Sequence, residues 1–164
     1  MENQEMKKLL AILMMFSVFF IGGLKAFADD AADALAQFNK YVQSANTYDP
    51  SLSSVYSPNA KIIRQVVKPD GTTVNATTTT AEYIKQMKLG QATAKLRKYT
   101  NSYTNPTVTK VANGYKVSAL RQPKGETYKL KMHQIWQKQP DGKWMIVEEL
   151  MQTKEQIFLK YADK

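Results

Sequence analysis

Few side chains in this 164-residue chain are suited to chemistry. It has one histidine, His133, and no cysteine. Zinc and iron sites are built largely from imidazole and thiolate, so the composition offers no metal centre. A Ser-His-Asp triad would have to use His133, and no G-x-S-x-G turn exists to present a serine. A glycine-rich phosphate loop is also missing, and no cofactor is implied. What remains is acid–base chemistry by a carboxylate held against an apolar wall, beside a group that orients a ligand. Glu148 and Gln134 are the pair that strand geometry points to.

The argument runs through the last hairpin. Pro140-Asp141-Gly142 reads as a three-residue loop with Gly142 left-handed, which pairs Gln139 with Lys143. Counting back, Trp136 faces Ile146, Gln134 faces Glu148 and Met132 faces Leu150. Side chains alternate along a strand. One face then carries Tyr128, Leu130, Met132, Gln134, Trp136, Trp144, Ile146, Glu148 and Leu150, and being almost wholly apolar it is expected under the helices. The other carries Lys129, Lys131, His133, Ile135, Gln137, Met145, Val147, Glu149 and Met151, with His133 beside Glu149. A buried carboxylate needs a partner or a raised pKa. Glu148 is therefore either a pocket acid or base, or a rim residue bonded to backbone or water.

The elements that must position this hairpin are legible from periodicity. Ala31, Ala34, Leu35, Phe38, Tyr41, Val42 and Ala45 recur at three-and-four spacing and predict a helix over 31–45, with Asp29, Asp30 and Asp33 complementing its dipole. Asp49-Pro50 predicts an N-cap and first residue of a short helix that turns Leu52, Val55 and Tyr56 inward and ends at Ser57-Pro58-Asn59. A strand from Ala60 follows, then a turn at Lys68–Thr72 and a threonine-rich return to about Thr78. Thr79 and Glu82 stand at capping-box spacing and open a helix carrying Tyr83, Ile84 and Met87, expected to stop at Gly90. Strands continue to about Thr153, with turns at Asn113-Gly114 and Pro123-Lys124-Gly125. The tail from Lys154 reads either as a short helix through Ile157, Phe158 and Tyr161 or as a frayed end. The expected class is α+β, one domain over 29–164 with a curved antiparallel sheet wrapped around N-terminal helices.

Two stretches resemble the nuclear-transport-factor-2-like superfamily, in its SnoaL-like and ketosteroid-isomerase-like bacterial branch. Tyr48-Asp49-Pro50-Ser51-Leu52 through Val55-Tyr56-Ser57-Pro58-Asn59-Ala60 is similar to that family's opening. Trp136 to Val147, with Gly142-Lys143-Trp144 starting the last strand, is similar to its closing hairpin. The resemblance implies a cone with a pocket at its open end, and relatives that include both enzymes and non-catalytic binding domains, so it implies no single activity. It also makes Asp49 a second catalytic candidate, although the N-cap role already accounts for it. Tyr48, Tyr83 and Tyr99 could reach the pocket mouth, and with Gln134, Glu148 and Trp136 they are the ligand-binding candidates. The preferred reading is a non-catalytic domain binding a small apolar ligand in its cone or a protein on its sheet. The alternative is a cofactor-independent isomerase or cyclase. Relatives often pair through the convex sheet face, where Ile135, Met145, Val147 and Met151 would supply a homodimer contact.

Composition and the N-terminus set the expected location. Lys7-Lys8, the apolar run Leu9–Leu24 and Ala26-Phe27-Ala28 form a secretory signal pattern with cleavage expected before Asp29. The run is shorter than the roughly 20 apolar residues of a spanning helix. A soluble periplasmic or secreted product is therefore expected. The whole chain carries a net charge of +9. Residues 1–28 hold three Lys and two Glu, so the remainder carries 20 basic and 12 acidic residues, a net +8. Export makes nucleic acid a poor partner for this charge. Lys85, Lys88, Lys95, Arg97 and Lys98 form the densest basic stretch, either a solvated face or a weak contact for anionic membrane or wall polymer.

Overall fold

The computed structural model of the protein describes residues 29–163. The expected export segment, residues 1–28, lies outside them. The described residues fall in two units, 29–33 and 34–163. The first is helical; the second carries the sheet and the site.

Helix α1 (residues 29–46) buries Ala34, Phe38 and Tyr41, while Asn39, Lys40 and Gln43 on its other side are exposed. This is the stripe that its three-and-four spacing predicts. The helix ends where Tyr48 takes a φ of 59°. Asp49 then caps a short 3-10 helix, η1 (Pro50–Val55), its Oδ1 accepting the Ser51 amide at 2.8 Å.

Six strands form one sheet: β1 (Tyr56–Val67), β2 (Thr73–Thr78), β3 (Asn101–Val111), β4 (Gly114–Pro123), β5 (Leu130–Lys138) and β6 (Trp144–Thr153). Their order is β2-β1-β6-β5-β4-β3. The sheet is curved and unclosed, and every neighbouring pair is antiparallel except β1 and β6, which run parallel. The turn signals account for the antiparallel pairs. No local turn joins β1 to β6, so nothing in the sequence pattern announces their contact. β1 starts at Tyr56 rather than Ala60. Ser57-Pro58-Asn59 are extended and fall in a register break between Tyr56 and Lys61, where a proline without an N–H fits an interrupted ladder.

The hairpin turns follow their residue chemistry. In the β1–β2 turn Asp70 Oδ1 accepts the Thr72 amide at 2.9 Å and its hydroxyl at 2.7 Å. Gln139 donates its amide to the Lys143 carbonyl at 2.7 Å, as the three-residue loop requires. Gly114 has a φ of +139°, and a Cβ built there would collide with the Trp136 carbonyl oxygen, so glycine is needed for the β3–β4 turn to close against β5.

Helix α2 (Thr80–Leu96) is capped by Thr79, whose hydroxyl oxygen accepts the Glu82 amide at 3.2 Å. It does not stop at Gly90. Ala92, Ala94, Lys95 and Leu96 are strong helix formers, and together they outweigh one interior glycine. The end comes at Lys98, left-handed with a φ of 49°. Tyr99 donates to the Ala94 carbonyl at 2.9 Å and Lys98 to that of Lys95 at 3.1 Å, the paired bonds of a Schellman motif. The basic stretch Lys85, Lys88, Lys95, Arg97 and Lys98 is exposed along it. The tail forms a 3-10 helix, η2 (Gln156–Tyr161). Asp163 ties it to the edge strand β2, accepting the Thr77 amide at 2.8 Å and its hydroxyl at 2.6 Å.

Candidate functional site

A bulge in β6 decides which carboxylate enters the cone. From the turn inward the register is as the hairpin predicts: Lys138 pairs with Trp144, Gln137 with Met145 and Trp136 with Ile146. It then shifts, so that Ile135 pairs with Glu148, Gln134 with Glu149 and Met132 with Met151, and Val147 has no partner on β5. One extra residue on a strand turns every later side chain to the opposite face. Glu148 therefore lies outside the cone, half-buried, its Oε1 2.8 Å from His133 Nε2. Gln134 faces Glu149 instead, and Leu150 points away. Met151, expected on the convex face as a dimer contact, is buried and lines the cone cavity.

Glu149 is 0% exposed and carries the centre of the inner network. Its Oε2 accepts from the Tyr56 hydroxyl at 2.6 Å, from Gln134 Nε2 at 2.8 Å and from the Tyr41 hydroxyl at 3.3 Å. Its Oε1 accepts from the Arg64 guanidinium at 3.1 Å. A carboxylate has about four acceptor positions, and four donors are directed at this one. Trp136 Nε1 donates to Gln134 Oε1 at 3.1 Å, so the indole orients the amide that orients the carboxylate. Burial, and then the charge of Glu149, push the Tyr41 and Tyr56 pKa values well above the ordinary tyrosine range. Both hydroxyls therefore stay protonated and keep donating. Tyr83 packs edge-on against Tyr56 at 5.3 Å between centroids and lies under the Arg64 guanidinium at 4.7 Å.

On the far side of Tyr41 and Arg64 opens a cavity of about 340 Å³. Tyr48, Tyr83, Tyr99, Tyr103, Arg64 and Arg121 line it, with Leu52, Met87, Met151 and Phe158 as apolar wall. A second cavity, of about 450 Å³, shares Arg64, Tyr83, Met87 and Phe158 and extends between β2, α2 and η2. The Tyr48 hydroxyl donates to the Tyr99 carbonyl at 3.0 Å, holding the α1 end against the start of β3. Asn46 and Asn101 reinforce that junction with two reciprocal 2.9 Å side chain–backbone bonds.

The residues picked out by sequence thus separate into three places. Tyr48, Tyr83 and Tyr99 line the cavity. Gln134 and Trp136 are buried, bonded to each other, with Gln134 also bonded to Glu149. Glu148 is on the wrong face, and Asp49 is an N-cap, its pKa lowered by the Ser51 amide. Sequence reasoning missed Tyr41, Tyr56, Arg64, Tyr103, Arg121 and Glu149. Arg64 left a trace as a cation inside the apolar run Ile62–Val67. Glu149 left none, because a bulge of one residue has no composition of its own.

No family model and no curated protein matches the chain. Solved structures do. A nuclear-transport-factor-2-like protein with a cystatin-like fold from Novosphingobium aromaticivorans superposes with a TM-score of 0.58 at 11% identity, over 82% of this chain and 88% of that one. A protein of unknown function of the DUF3225 family from Pectobacterium atrosepticum gives 0.57 at 22% identity, over 76% and 91%. A candidate dehydratase from Streptomyces avermitilis gives 0.57 at 13% identity, over 76% and 96%. At such identities the likeness is one of fold.

Proposed function

We propose that this chain, which has the nuclear-transport-factor-2-like α+β cone fold, is a binding domain that holds a small ligand in its cone without transforming it. The observation that carries this reading is the enclosure of Glu149. A general base must come within hydrogen-bond reach of the proton it takes. Glu149 is fully buried, engaged by four donors, and separated from the cavity by Tyr41 and Arg64. Among the described residues the carboxylates that do line the two cavities are Glu155 and Glu82, both exposed to water rather than held against an apolar wall. An isomerase or cyclase would need a carboxylate where this cone has hydroxyls and guanidinium groups.

The cavity itself supports binding: about 340 Å³ is room for a small molecule, and its wall mixes apolar carbon with a few convergent polar groups. The test is native mass spectrometry of the protein purified without denaturation, followed by a ligand-observed NMR screen of small molecules. A retained adduct, or hits competing for one site and shifting Tyr83 and Met87, is the expected result. An empty protein with no hits would sink the reading, as would turnover of any hit that is lost in the E155Q or E82Q variant.

A further inference from the structure

The two guanidinium groups lining the cavity are not equivalent. Arg64 brings its own counter-ion, Glu149. Arg121 is only 8% exposed and, among the described residues, forms no ion pair. Its acceptors are neutral: Asn101 Oδ1 at 2.8 Å, the Gln152 carbonyl at 2.8 Å and the Tyr99 hydroxyl at 3.5 Å. Its Nε is buried with no partner at all. Arginine cannot shed its proton to escape this cost, as a buried lysine can. An unpaired buried charge is expensive enough that it normally has a counter-charge.

A second polar group of the same wall, half-buried, is open to a ligand. The Tyr103 hydroxyl has no hydrogen-bond partner among the described residues, while its ring is fixed edge-on against Phe38 at 5.5 Å. Burial raises the Tyr103 pKa, so the hydroxyl remains a donor. Arg121 and Tyr103 both face the 340 Å³ cavity.

We infer that the cone's ligand is a small organic monocarboxylate, its carboxylate paired with Arg121 and hydrogen-bonded by Tyr103, its apolar body lying along Leu52, Met87, Met151 and Phe158. The inference rests on the binding reading above and names the ligand class for it. Among the described residues, Arg121 is the guanidinium of the wall with no carboxylate within salt-bridge distance. Glu155 also lines the cavity but is exposed and makes no ion pair with it, and its charge leaves the wall less able to balance the second negative charge of a phosphate dianion. Guanidinium is also the group whose fork matches a carboxylate.

The experiment is calorimetric titration of the purified protein with straight-chain and aryl-substituted monocarboxylates, each against its matched primary amide. Carboxylates should bind at least about tenfold tighter than their amides, the span that about 1.4 kcal/mol represents. R121Q should abolish that preference. Y103F, which removes only the hydroxyl, should reduce it severalfold while amide affinity stays level, and it serves if R121Q does not fold. Amides binding as tightly as acids would overturn the inference and leave the binding reading standing. If neither series binds, the inference falls, and the binding reading falls with it only where the native mass spectrum and the NMR screen are empty as well.

Discussion

The Tyr56 hydroxyl donates a 2.6 Å hydrogen bond to the carboxylate of Glu149, joining the first strand of the sheet to the last across 93 positions of sequence. β1 and β6 lie side by side in parallel, and Arg64, diagonal to Glu149 on β1, completes the pair with its salt bridge. Short charge-assisted hydrogen bonds of this kind contribute more than neutral ones. They also tie down a contact that no hairpin turn enforces.

Removing that charge separates the two adjacent glutamates. Breaking a buried ion pair from one side costs about 3–5 kcal/mol, so E149Q should lower stability by roughly that amount in chemical denaturation. E148Q, at a half-exposed pair with His133, should stay within about 0.5 kcal/mol of wild type. Equal effects, or the reverse order, would mean the bulge at Val147 is misplaced.

The tyrosines around the carboxylate carry a pH signature. Tyr41, Tyr56, Tyr83 and Tyr103 all have raised pKa values, caused first by burial and, for the first three, next by the Glu149 charge. A raised folded-state pKa gives stability that is complete below the unfolded value, about 10 for tyrosine, and that is lost as pH rises from there through the folded values. Ultraviolet titration should therefore show these four tyrosines ionising above the ordinary tyrosine range and only with unfolding. One smooth transition of all nine tyrosines in folded protein would contradict the network.

Helix α2 holds two residues that local preference would exchange. Gly90 is interior, with nothing within 4 Å of a built Cβ. G90A should stabilise by about 1 kcal/mol, the helix-propensity difference. Lys98 occupies the left-handed position that glycine favours. K98G relieves about 1 kcal/mol of strain but loosens the unfolded chain, leaving a gain of about 0.5 kcal/mol. Thermal unfolding of both variants checks this. Destabilisation by G90A would indicate a helix that ends at Gly90 after all.

What the sequence determined by itself was local. Periodicity placed the stripe Ala34, Phe38 and Tyr41, turn chemistry placed Asp70-Gly71 and the Gln139–Lys143 closure, and the Asp49 cap was legible from its own neighbours, because each depends on residues a few positions apart. The α+β class followed from the order of such elements, and the cone was what the resemblance of Tyr48–Ala60 and Trp136–Val147 to the nuclear-transport-factor-2-like superfamily implied. The tertiary structure alone decided the inner carboxylate. Glu148 and Glu149 are the same residue type, one position apart, and alternation favoured the wrong one. The choice lies in the bulge at Val147, which lets Glu149 meet Tyr41, Tyr56, Arg64 and Gln134 from three other elements. The unpaired charge of Arg121 was equally out of reach of the sequence, since being unpaired is a property of everything around a residue.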